Sequence, residues 1–330
     1  MVTPKVWLVT GASSGLGLAI TLAALQAGQS VIACARNVEK AAKNCPEVEA
    51  KGGRWLQLDV TSSDATKTVE QAIEGEGRID VVVNNAGHCR AGSLEDLSWI
   101  PSESLLPSPV ILPLPYEQLH LTDYSLAEIS SQFDVVYYGA IRVLKACIPR
   151  MRTQKSGTVI SMSSVFGFSP YPGCLAYNSA KFALEGLTET LALDLAGFGM
   201  NFVILEPGLF KTNILVSGKL PEAGLSQAYA DGPVGETFGL IGEIVNNPDE
   251  TMFGDANKLG QRVVELVERT GMAKNVPREP SVLRLPLGPD GIARCKKKAR
   301  ELAENFETVE AICMSTNFER FGEKAALRIF

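Results

Sequence analysis

A tyrosine and a lysine four residues apart are the side chains of this sequence best suited to proton transfer. Tyr177 and Lys181 lie in a proline-free run, Leu175 to Leu195, whose apolar residues recur at helical spacing. Residues i and i+4 share one face of a helix, so the phenol and the ammonium are expected side by side. Lys181 is therefore predicted to lower the pKa of Tyr177 from about 10 and to make it a general acid or base. Alone, such a pair is more often a packing aromatic beside a solvated charge.

A glycine-rich turn near the N-terminus is typical of a nucleotide site. The apolar run from Val6 to Thr10 predicts a buried strand, and a helix is predicted from Leu18 to Ala27. Between them lie Gly11, Ser13, Ser14, Gly15, Leu16 and Gly17, in the spacing Gly-x-x-x-Gly-x-Gly. Glycines let a pyrophosphate approach the backbone, and the helix N-terminus attracts its charge. The order strand, glycine turn, helix favours dinucleotide binding over a tight turn without function.

The residue after the second predicted strand indicates which dinucleotide is bound. The strand Ser30–Ala35 ends where NAD-binding proteins carry an acidic residue that binds the ribose 2′-hydroxyl. Here Ala35 is followed by Arg36, whose planar fork suits a 2′-phosphate. The sequence therefore predicts NADP(H) rather than NAD(H). The alternative is an exposed arginine without a ligand.

The remaining elements alternate between strand and helix. Further strands are predicted at Arg54–Leu58, Asp80–Val83, Gly157–Met162, Asn201–Leu205 and Val282–Leu287, the last at a sheet edge. Further helices are predicted from the capping serines Ser62 and Ser63 to about Glu76, and at Leu126–Arg152, Leu175–Leu195, Asp255–Thr270 and Asp290–Ile312. This alternation predicts one α/β domain over residues 1–330, a Rossmann-type doubly wound parallel sheet flanked by helices on both faces. About seven strands in the order 3-2-1-4-5-6-7 are expected.

Two stretches interrupt the alternation. Residues from about 99 to 125 are apolar, contain five prolines and show no sustained period, which predicts a long loop. It is either a lid or partner-binding flap, a neutral surface insertion, or an intron translated through an error in the gene model. The second stretch, about 209–253, is glycine-rich and poorly periodic, and it follows a strand end. We expect it to cover the substrate.

Composition excludes several classes of function. The net charge of −6 offers no basic field for nucleic acid, and no apolar stretch reaches the roughly 20 residues that span a bilayer. The N-terminus lacks the pattern of a secretory signal, which predicts a cytoplasmic protein. Seven scattered cysteines predict free thiols in a reducing compartment, and two histidines are too few for a histidine-based metal site. No metal site is predicted.

The motifs together resemble the short-chain dehydrogenase/reductase family. They occur in one order: Thr10 to Gly17, the run Asn84-Asn85-Ala86-Gly87, Ser164, Tyr177-x-x-x-Lys181 and Pro207-Gly208. Each motif alone is weak, whereas their conjunction is specific. The chain is most similar to members that act on retinoids, hydroxysteroids and fungal secondary metabolites, and the resemblance spans it except for about 99–125.

The resemblance implies a role for each matched residue. Tyr177 would be the general acid or base, Ser164 would hydrogen-bond the substrate oxygen, and Lys181 would lower the tyrosine pKa and bind the nicotinamide ribose. The implied cofactor contacts are the glycine turn with Leu16, Asp59 and Val60 beside the adenine, Asn84, Asn85, Ala86 and Gly87 along the nucleotide, Pro207, Gly208 and Leu209, and Thr212 at the nicotinamide. The implied substrate is a mostly apolar ketone, aldehyde or alcohol. The family also pairs helices equivalent to Leu126–Arg152 and Leu175–Leu195, which predicts a homodimer or homotetramer.

One position departs from the family pattern. Members usually carry an asparagine three residues before a glycine in the helix after the Asn-Asn-Ala-Gly strand, and here Val136 precedes Gly139. The family's proton relay runs through that asparagine and a water, so Val136 predicts a less efficient relay. Two functions therefore stay open. The chain is an NADP(H)-dependent oxidoreductase, or it is a nucleotide-binding sensor or scaffold with impaired catalysis.

Overall fold

The computed structural model describes residues 3–94, 127–212, 214, 225–246, 254–277 and 282–316. The predicted loop at about 99–125 lies outside the described residues, and so does much of the predicted substrate segment at about 209–253.

Seven parallel strands form one sheet in the order β3-β2-β1-β4-β5-β6-β7. The strands are β1 Val6–Val9, β2 Ser30–Ala35, β3 Arg54–Gln57, β4 Val81–Asn84, β5 Gly157–Met162, β6 Met200–Pro207 and β7 Val282–Leu287. This confirms the predicted doubly wound fold, with β7 at an edge. The strand order reverses between β1 and β4, and the crevice at the carboxyl ends of these strands is where such sheets bind ligands.

Helices cover both faces of the sheet. They are α1 Gly15–Gln26, α2 Val38–Asn44, α3 Pro46–Ala50, α4 Ala65–Glu76, α5 Ala127–Phe133, α6 Gly139–Gln154, α7 Leu175–Asp194, α8 Gln227–Ala230, α9 Pro233–Asn246, α10 Ala256–Glu268 and α11 Pro289–Met314. Strand β1 illustrates the double burial: Trp7 packs into the core on the α1 and α10 side, and Leu8 into the core on the α4 and α6 side. Among these described helices, none is both long and apolar enough to cross a membrane.

The helix predicted from Leu126 to Arg152 is interrupted. Helix α5 ends at Phe133, a π-helical turn spans Asp134–Tyr138, and α6 begins at Gly139. A Cβ on Gly139 would lie 2.7 Å from a methyl group of Val60, so the glycine lets this turn approach the loop after β3. A π-helical turn contains one residue more than an α-helical turn. The hydrophobic spacing of the sequence could not reveal this insertion, because a single π turn changes the helical period only locally.

The substrate segment at about 209–253 contains more regular structure than its sequence indicated. Helices α8 and α9 occupy part of it, and α9 buries Thr237 and Ile244. Gly235, Gly239 and Gly242 lie in α9, and glycine lowers helix propensity by about 1 kcal/mol per residue relative to alanine. Tertiary contacts of an amphipathic face overcome that preference here.

Candidate active site

The turn after β1 has the shape of an anion cradle. Gly11 and Gly15 adopt φ values of +64° and +55°, which side chains other than glycine rarely tolerate. A Cβ on Gly17 would lie 2.3 Å from the side-chain nitrogen of Asn85, so the third glycine allows close packing. Ser14 precedes α1 without capping it by its side chain, which leaves the first N–H groups of the helix for a ligand.

Thr10 joins this cradle to the segment after β4. Its buried hydroxyl accepts hydrogen bonds from the backbone N–H groups of Asn85 and Ala86, both at 2.9 Å. The Asn85 amide in turn donates to the Thr10 carbonyl at 2.8 Å. The predicted glycine turn and the predicted Asn84 to Gly87 segment are therefore brought together.

Asn84 supplies a test of whether a dinucleotide fits here. It ends β4, is 5% exposed, and neither polar atom of its amide has a hydrogen-bond partner within the described residues. An unpaired buried amide costs on the order of 1–3 kcal/mol, so the site suits a polar ligand. With the glycine cradle beside it, the residues fit a dinucleotide.

Arg36 and Asp59 lie further along the same edge of the sheet. Arg36 is exposed just after β2. Asp59 accepts hydrogen bonds from the backbone N–H and the hydroxyl of Thr61 at 2.9 and 2.7 Å. The backbone bond, together with the positive charges of Arg36 and Arg142, lowers the pKa of Asp59 below its ordinary value. The predicted Val60 is buried beside it.

The predicted catalytic residues converge at the carboxyl end of β5. Ser164 follows this strand, and Tyr177 lies in the first turn of α7, where the Ser164 hydroxyl is close enough to lower the pKa of the phenol. The Lys181 ammonium lies 5.6 Å from the centre of the Tyr177 ring and donates a 2.6 Å hydrogen bond to the Met162 carbonyl. All three side chains are at least nine-tenths buried. The structure therefore brings the three predicted residues together.

The net shift of the Tyr177 pKa is opposite in direction to the one that the sequence predicts. Burial raises the pKa of Tyr177 above its ordinary value, and the nearby Ser164 hydroxyl lowers it by less. Burial also lowers the pKa of Lys181 to about 8. Burial determines the direction of both pKa shifts, because the removal of water penalises the charged form of either group.

Thr212 and the turn after β6 close another side of the site. A Cβ on Gly15 would lie 3.4 Å from Thr212, so this threonine borders the glycine cradle. The Leu209 N–H donates to the Asp290 carboxylate at 2.7 Å, and a Cβ on Gly208 would clash with that carboxylate at 2.2 Å. Pro207 ends β6 in a buried position. Asp290 lies at the start of α11. The sequence analysis did not predict it as a site residue, because no local sequence pattern connects it with β6.

An ion cluster behind α7 was also missed. Arg284 on β7 donates to Glu185 at 2.7 Å, to Glu206 at 2.6 Å and to Glu189 at 2.7 Å. The Ser163 hydroxyl donates to Glu185 at 2.5 Å. Burial raises the pKa of Glu206 to about 7. The cluster ties β5, β6, β7 and α7 together, one turn of α7 beyond Lys181.

Val136 lies across Gly87 from Lys181. It is 2% exposed within the π-helical turn and packs against Ala140, Ala180 and Leu184. A Cβ on Gly87 would lie 3.7 Å from Val136 and 3.8 Å from the Lys181 nitrogen, so Gly87 separates the two side chains. Val136 stands where the family usually carries an asparagine. It therefore borders the site with an apolar side chain.

A cavity of about 580 Å³ lies beside the first turns of α7. It is lined by Gly92, Ser93, Pro170, Tyr171, Pro172, Gly173, Leu175, Asn178, Ser179 and Phe182. Tyr171 stacks on Phe166 with ring centres 5.0 Å apart, and Phe166 meets the Tyr177 ring edge-on at 6.4 Å. An aromatic wall therefore runs from Tyr177 to this cavity. Within the described residues, no group of three His, Cys, Asp or Glu side chains could hold a metal ion.

Comparison with known proteins identifies relatives of this chain. A family model described as short chain dehydrogenase matches residues 5–104 and 116–221. The chain is 35% identical over 236 residues to the oxidoreductase claN of Passalora fulva, covering 71% of this chain and 93% of that protein. It is 30% identical over 274 residues to retinol dehydrogenase 8 of Homo sapiens, covering 80% of this chain and 76% of that protein.

Solved structures share the fold. A short-chain dehydrogenase from Streptomyces avermitilis has a TM-score of 0.74 and 30% identity, covering 96% of this chain and 100% of that chain. Two more distant structures carry a cofactor. An alcohol dehydrogenase from Thermococcus sibiricus is complexed with 5-hydroxy-NADP (TM-score 0.60, 21% identity, 86% of this chain, 95% of that chain). A short chain dehydrogenase/reductase from Burkholderia phymatum is complexed with NAD (TM-score 0.68, 20% identity, 92% of this chain, 95% of that chain).

Proposed function

Because the chain belongs to the short-chain dehydrogenase family, we propose that it is an NADP(H)-dependent oxidoreductase that interconverts a carbonyl compound and an alcohol. The observation that carries this proposal is the convergence of Ser164, Tyr177 and Lys181 beside the glycine cradle. The bound nicotinamide supplies or accepts the hydride. The protein binds and orients the reactants and moves the proton.

Tyr177 is the proton donor when a carbonyl is reduced. Its raised pKa keeps the phenol protonated at neutral pH, which suits donation to the substrate oxygen. Ser164 holds the phenol and offers a second hydrogen bond to the same oxygen. Lys181, anchored on the Met162 carbonyl, stabilises the negative charge that develops on the phenol as its proton leaves.

The substrate proposed for this site is a mostly apolar small molecule. The aromatic wall of Phe166 and Tyr171 leads from Tyr177 to the cavity. One relative is named for retinol, an apolar alcohol, which supports the same class. Steroid-, retinoid- and polyketide-like carbonyls are therefore the compounds to screen.

Arg36 is the basis for proposing NADP(H) rather than NAD(H). The side chain is exposed at the end of β2, where it can form a charge-assisted pair with a 2′-phosphate. Replacing it, Arg36→Ala, should weaken NADPH binding by about 1.5–3 kcal/mol and leave NADH binding nearly unchanged. Arg54→Ala, which removes an exposed arginine from the neighbouring strand, is the matched control. Equal affinities of the parent protein for NADPH and NADH would refute the preference.

The second candidate is a nucleotide-binding sensor or scaffold, and Val136 is the observation that favours it. Incubation with NADPH and a panel of carbonyl compounds separates the two functions. Turnover that disappears in Tyr177→Phe supports the oxidoreductase. Tight NADPH binding without turnover of any compound supports the sensor.

We also propose that the protein forms a homodimer or homotetramer. Helix α7 and the π-helical turn expose Phe182 (43%), Leu193 (72%) and Tyr138 (51%), which a partner copy would cover. Light scattering should report a mass of two or four chains at micromolar concentration. A mass equal to one chain would rule the assembly out.

A further inference from the structure

Successive turns of α7 are anchored on the chain at the carboxyl end of β5. Tyr177, Lys181 and Glu185 are spaced four residues apart, so they share one face of this helix. The Lys181 ammonium donates to the Met162 carbonyl at 2.6 Å, and the Ser163 hydroxyl donates to the Glu185 carboxylate at 2.5 Å. Tyr177 and Lys181 take part in the proposed reaction. Glu185, the third residue of this face, has no role in it so far.

The Ser163–Glu185 hydrogen bond lies directly against the turn that follows Ser164. The Gly167 N–H donates to the Ser164 carbonyl at 2.8 Å, which closes this turn. A Cβ on Gly167 would lie 2.3 Å from the Ser163 hydroxyl oxygen and 2.3 Å from a carboxylate oxygen of Glu185. The turn therefore packs on the hydrogen-bonded pair without space between them. Loss of the pair would leave both neighbours of Ser164 in the chain less firmly held.

The carboxylate of Glu185 is buried and has a second partner. Glu185 is 3% exposed, and its other oxygen accepts a hydrogen bond from Arg284 at 2.7 Å. A buried charge is costly unless it is paired and hydrogen-bonded. Arg284 also binds Glu206 and Glu189, so one guanidinium serves three carboxylates. The excess negative charge of this cluster lies one helical turn from the Lys181 cation, which is 4% exposed.

We propose that Glu185 is a positioning residue of the proposed reaction: it holds Ser164 in place through Ser163 and balances the buried charge of Lys181. This inference rests on the proposed function, in which Ser164 orients the substrate oxygen and Lys181 stabilises the charge that develops on the phenol. Glu185 acts through these two side chains. Its hydrogen bond and its charge can be removed separately, which gives two independent tests.

The first test removes the hydrogen bond between Ser163 and Glu185. In Ser163→Ala and in Glu185→Ala, kcat should fall by about 10-fold and the Kd for NADPH should stay within about two-fold at about pH 6.5, because displacement of a catalytic group by about 1 Å can cost 10²-fold in rate. The double variant should be no slower than Glu185→Ala, since both substitutions remove the same bond. Losses of kcat that multiply in the double variant would overturn the proposal.

Ser161→Ala is the matched control for Ser163→Ala. Ser161 is also a buried serine that joins the β5 segment to α7, because its hydroxyl is hydrogen-bonded to that of Thr188 at 2.7 Å. It lies three residues before Ser164, on the far side of Met162. Ser161→Ala should lower the thermal unfolding temperature as Ser163→Ala does but leave kcat nearly unchanged. Equal losses of kcat in the two variants would show a general packing effect and overturn the positioning role. If Glu185→Ala folds poorly, Ser163→Ala and this control carry the test.

The second test removes only the charge. Glu185→Gln keeps an oxygen that can accept the Ser163 hydrogen bond. Burial lowers the pKa of Lys181 to about 8, and the negative charge of Glu185 opposes this shift. Without that charge the pKa of Lys181 should fall further, by about one unit. Since Lys181 is proposed to bind the nicotinamide ribose, the loss of NADPH affinity with rising pH should begin about one pH unit lower than in the parent. Glu189→Gln, which removes a half-exposed carboxylate from the same arginine, should match the parent.

The titration of NADPH binding needs no substrate, so it separates this inference from the proposed function. If the parent turns over no carbonyl compound, the proposed function fails, while the role of Glu185 is still decided by the titration. Other titratable groups influence the two residues and are common to both proteins: Tyr177 and Cys89 near Lys181, and Arg284, Glu206, Glu189 and Cys295 near Glu185. The difference between the two pH profiles therefore reports the charge of Glu185. Superimposable profiles of Glu185→Gln and the parent would overturn the proposal.

Discussion

Two walls of the site meet around Gly87, and they differ in how much of the family pattern they keep. The first, called here the acid wall, consists of Ser164, Tyr177 and Lys181, and all three match the family. The second, the relay wall, is the π-helical turn Asp134–Tyr138, where Val136 replaces the family asparagine. The acid wall is polar and hydrogen-bonded, whereas Val136 on the relay wall is surrounded by apolar side chains.

The difference between the two walls concerns two steps of proton transfer, the donation of a proton and its replacement. In the proposed mechanism, donation of the first proton to a substrate needs only Tyr177 and the groups that hold it. Replacing that proton in each cycle needs a path to solvent, and valine has no hydrogen-bonding group that could hold a water on such a path. We therefore propose that this protein has an intact proton donor and a slow resupply of its proton.

Removal of the proposed proton donor should have the largest effect on activity. Tyr177→Phe keeps the ring and its contact with Phe166 but removes the proton, so kcat for carbonyl reduction should fall by about 10²–10⁴-fold. NADPH affinity should stay within about two-fold of the parent, since the cradle is untouched. Tyr138→Phe, at an exposed position of the relay wall, is the matched control. A variant Tyr177→Phe with undiminished kcat would remove this residue from the mechanism.

Lys181→Ala damages the acid wall in a different way. It removes the cation beside the phenol and the proposed ribose contact, and it leaves the Met162 carbonyl without this donor. Both kcat and NADPH affinity should therefore fall, the affinity by about 10–100-fold if one charge-assisted hydrogen bond is lost. Steady-state kinetics with fluorescence titration of NADPH measures both quantities. A loss confined to kcat would show that Lys181 does not contact the cofactor.

The ion cluster that supports the acid wall makes stability depend on pH. The pKa of Glu206 is raised to about 7 by burial, so between about pH 4.5 and 7 the folded protein binds more protons than the unfolded chain. Stability that is present below this window is lost as the pH rises through 7. Glu206→Gln should reduce that loss by about 1–3 kcal/mol, and urea unfolding at pH 5 and pH 8 measures it.

Glu189→Gln serves as the control for this prediction, because Glu189 binds the same arginine from a half-exposed position. An identical pH dependence of stability in Glu206→Gln and the parent would contradict the buried-carboxylate explanation.

Sequence patterns anticipated the acid wall better than the cluster behind it. Tyr177 and Lys181 are linked by helical spacing, and Gly11 to Gly17 by one turn, so a local pattern was sufficient. Alternation of buried strands with helices likewise predicted the sheet and its edge strand, β7. The cluster joins Glu185, Glu206 and Arg284 from three elements, and no local pattern connects them.

Two further features required the folded chain. The sign of the Tyr177 pKa shift depends on burial, which spacing does not report. The π-helical turn was hidden for a related reason, because a single widened turn leaves the hydrophobic period on either side intact.

A substitution that restores the family asparagine on the relay wall should have the smallest effect on activity. Val136→Asn should raise kcat several-fold and leave NADPH affinity nearly unchanged, because the amide can hold a water next to Gly87. It should also destabilise the protein by about 1–3 kcal/mol, because the amide enters the apolar cluster with Ala140, Ala180 and Leu184. Val136→Ala, which shortens the side chain without adding a polar group, is the control and should not raise kcat.

Stopped-flow measurement of NADPH oxidation in the parent and in Val136→Asn tests the division between the two walls most directly. With a saturating carbonyl substrate, the parent should show a rapid first turnover equal to one enzyme equivalent, followed by a slower steady state. Val136→Asn should leave the first turnover unchanged and accelerate the steady state several-fold. A folded Val136→Asn protein that alters the first turnover, or whose steady state is flat or slower, would contradict the assignment of an intact donor and a slow resupply.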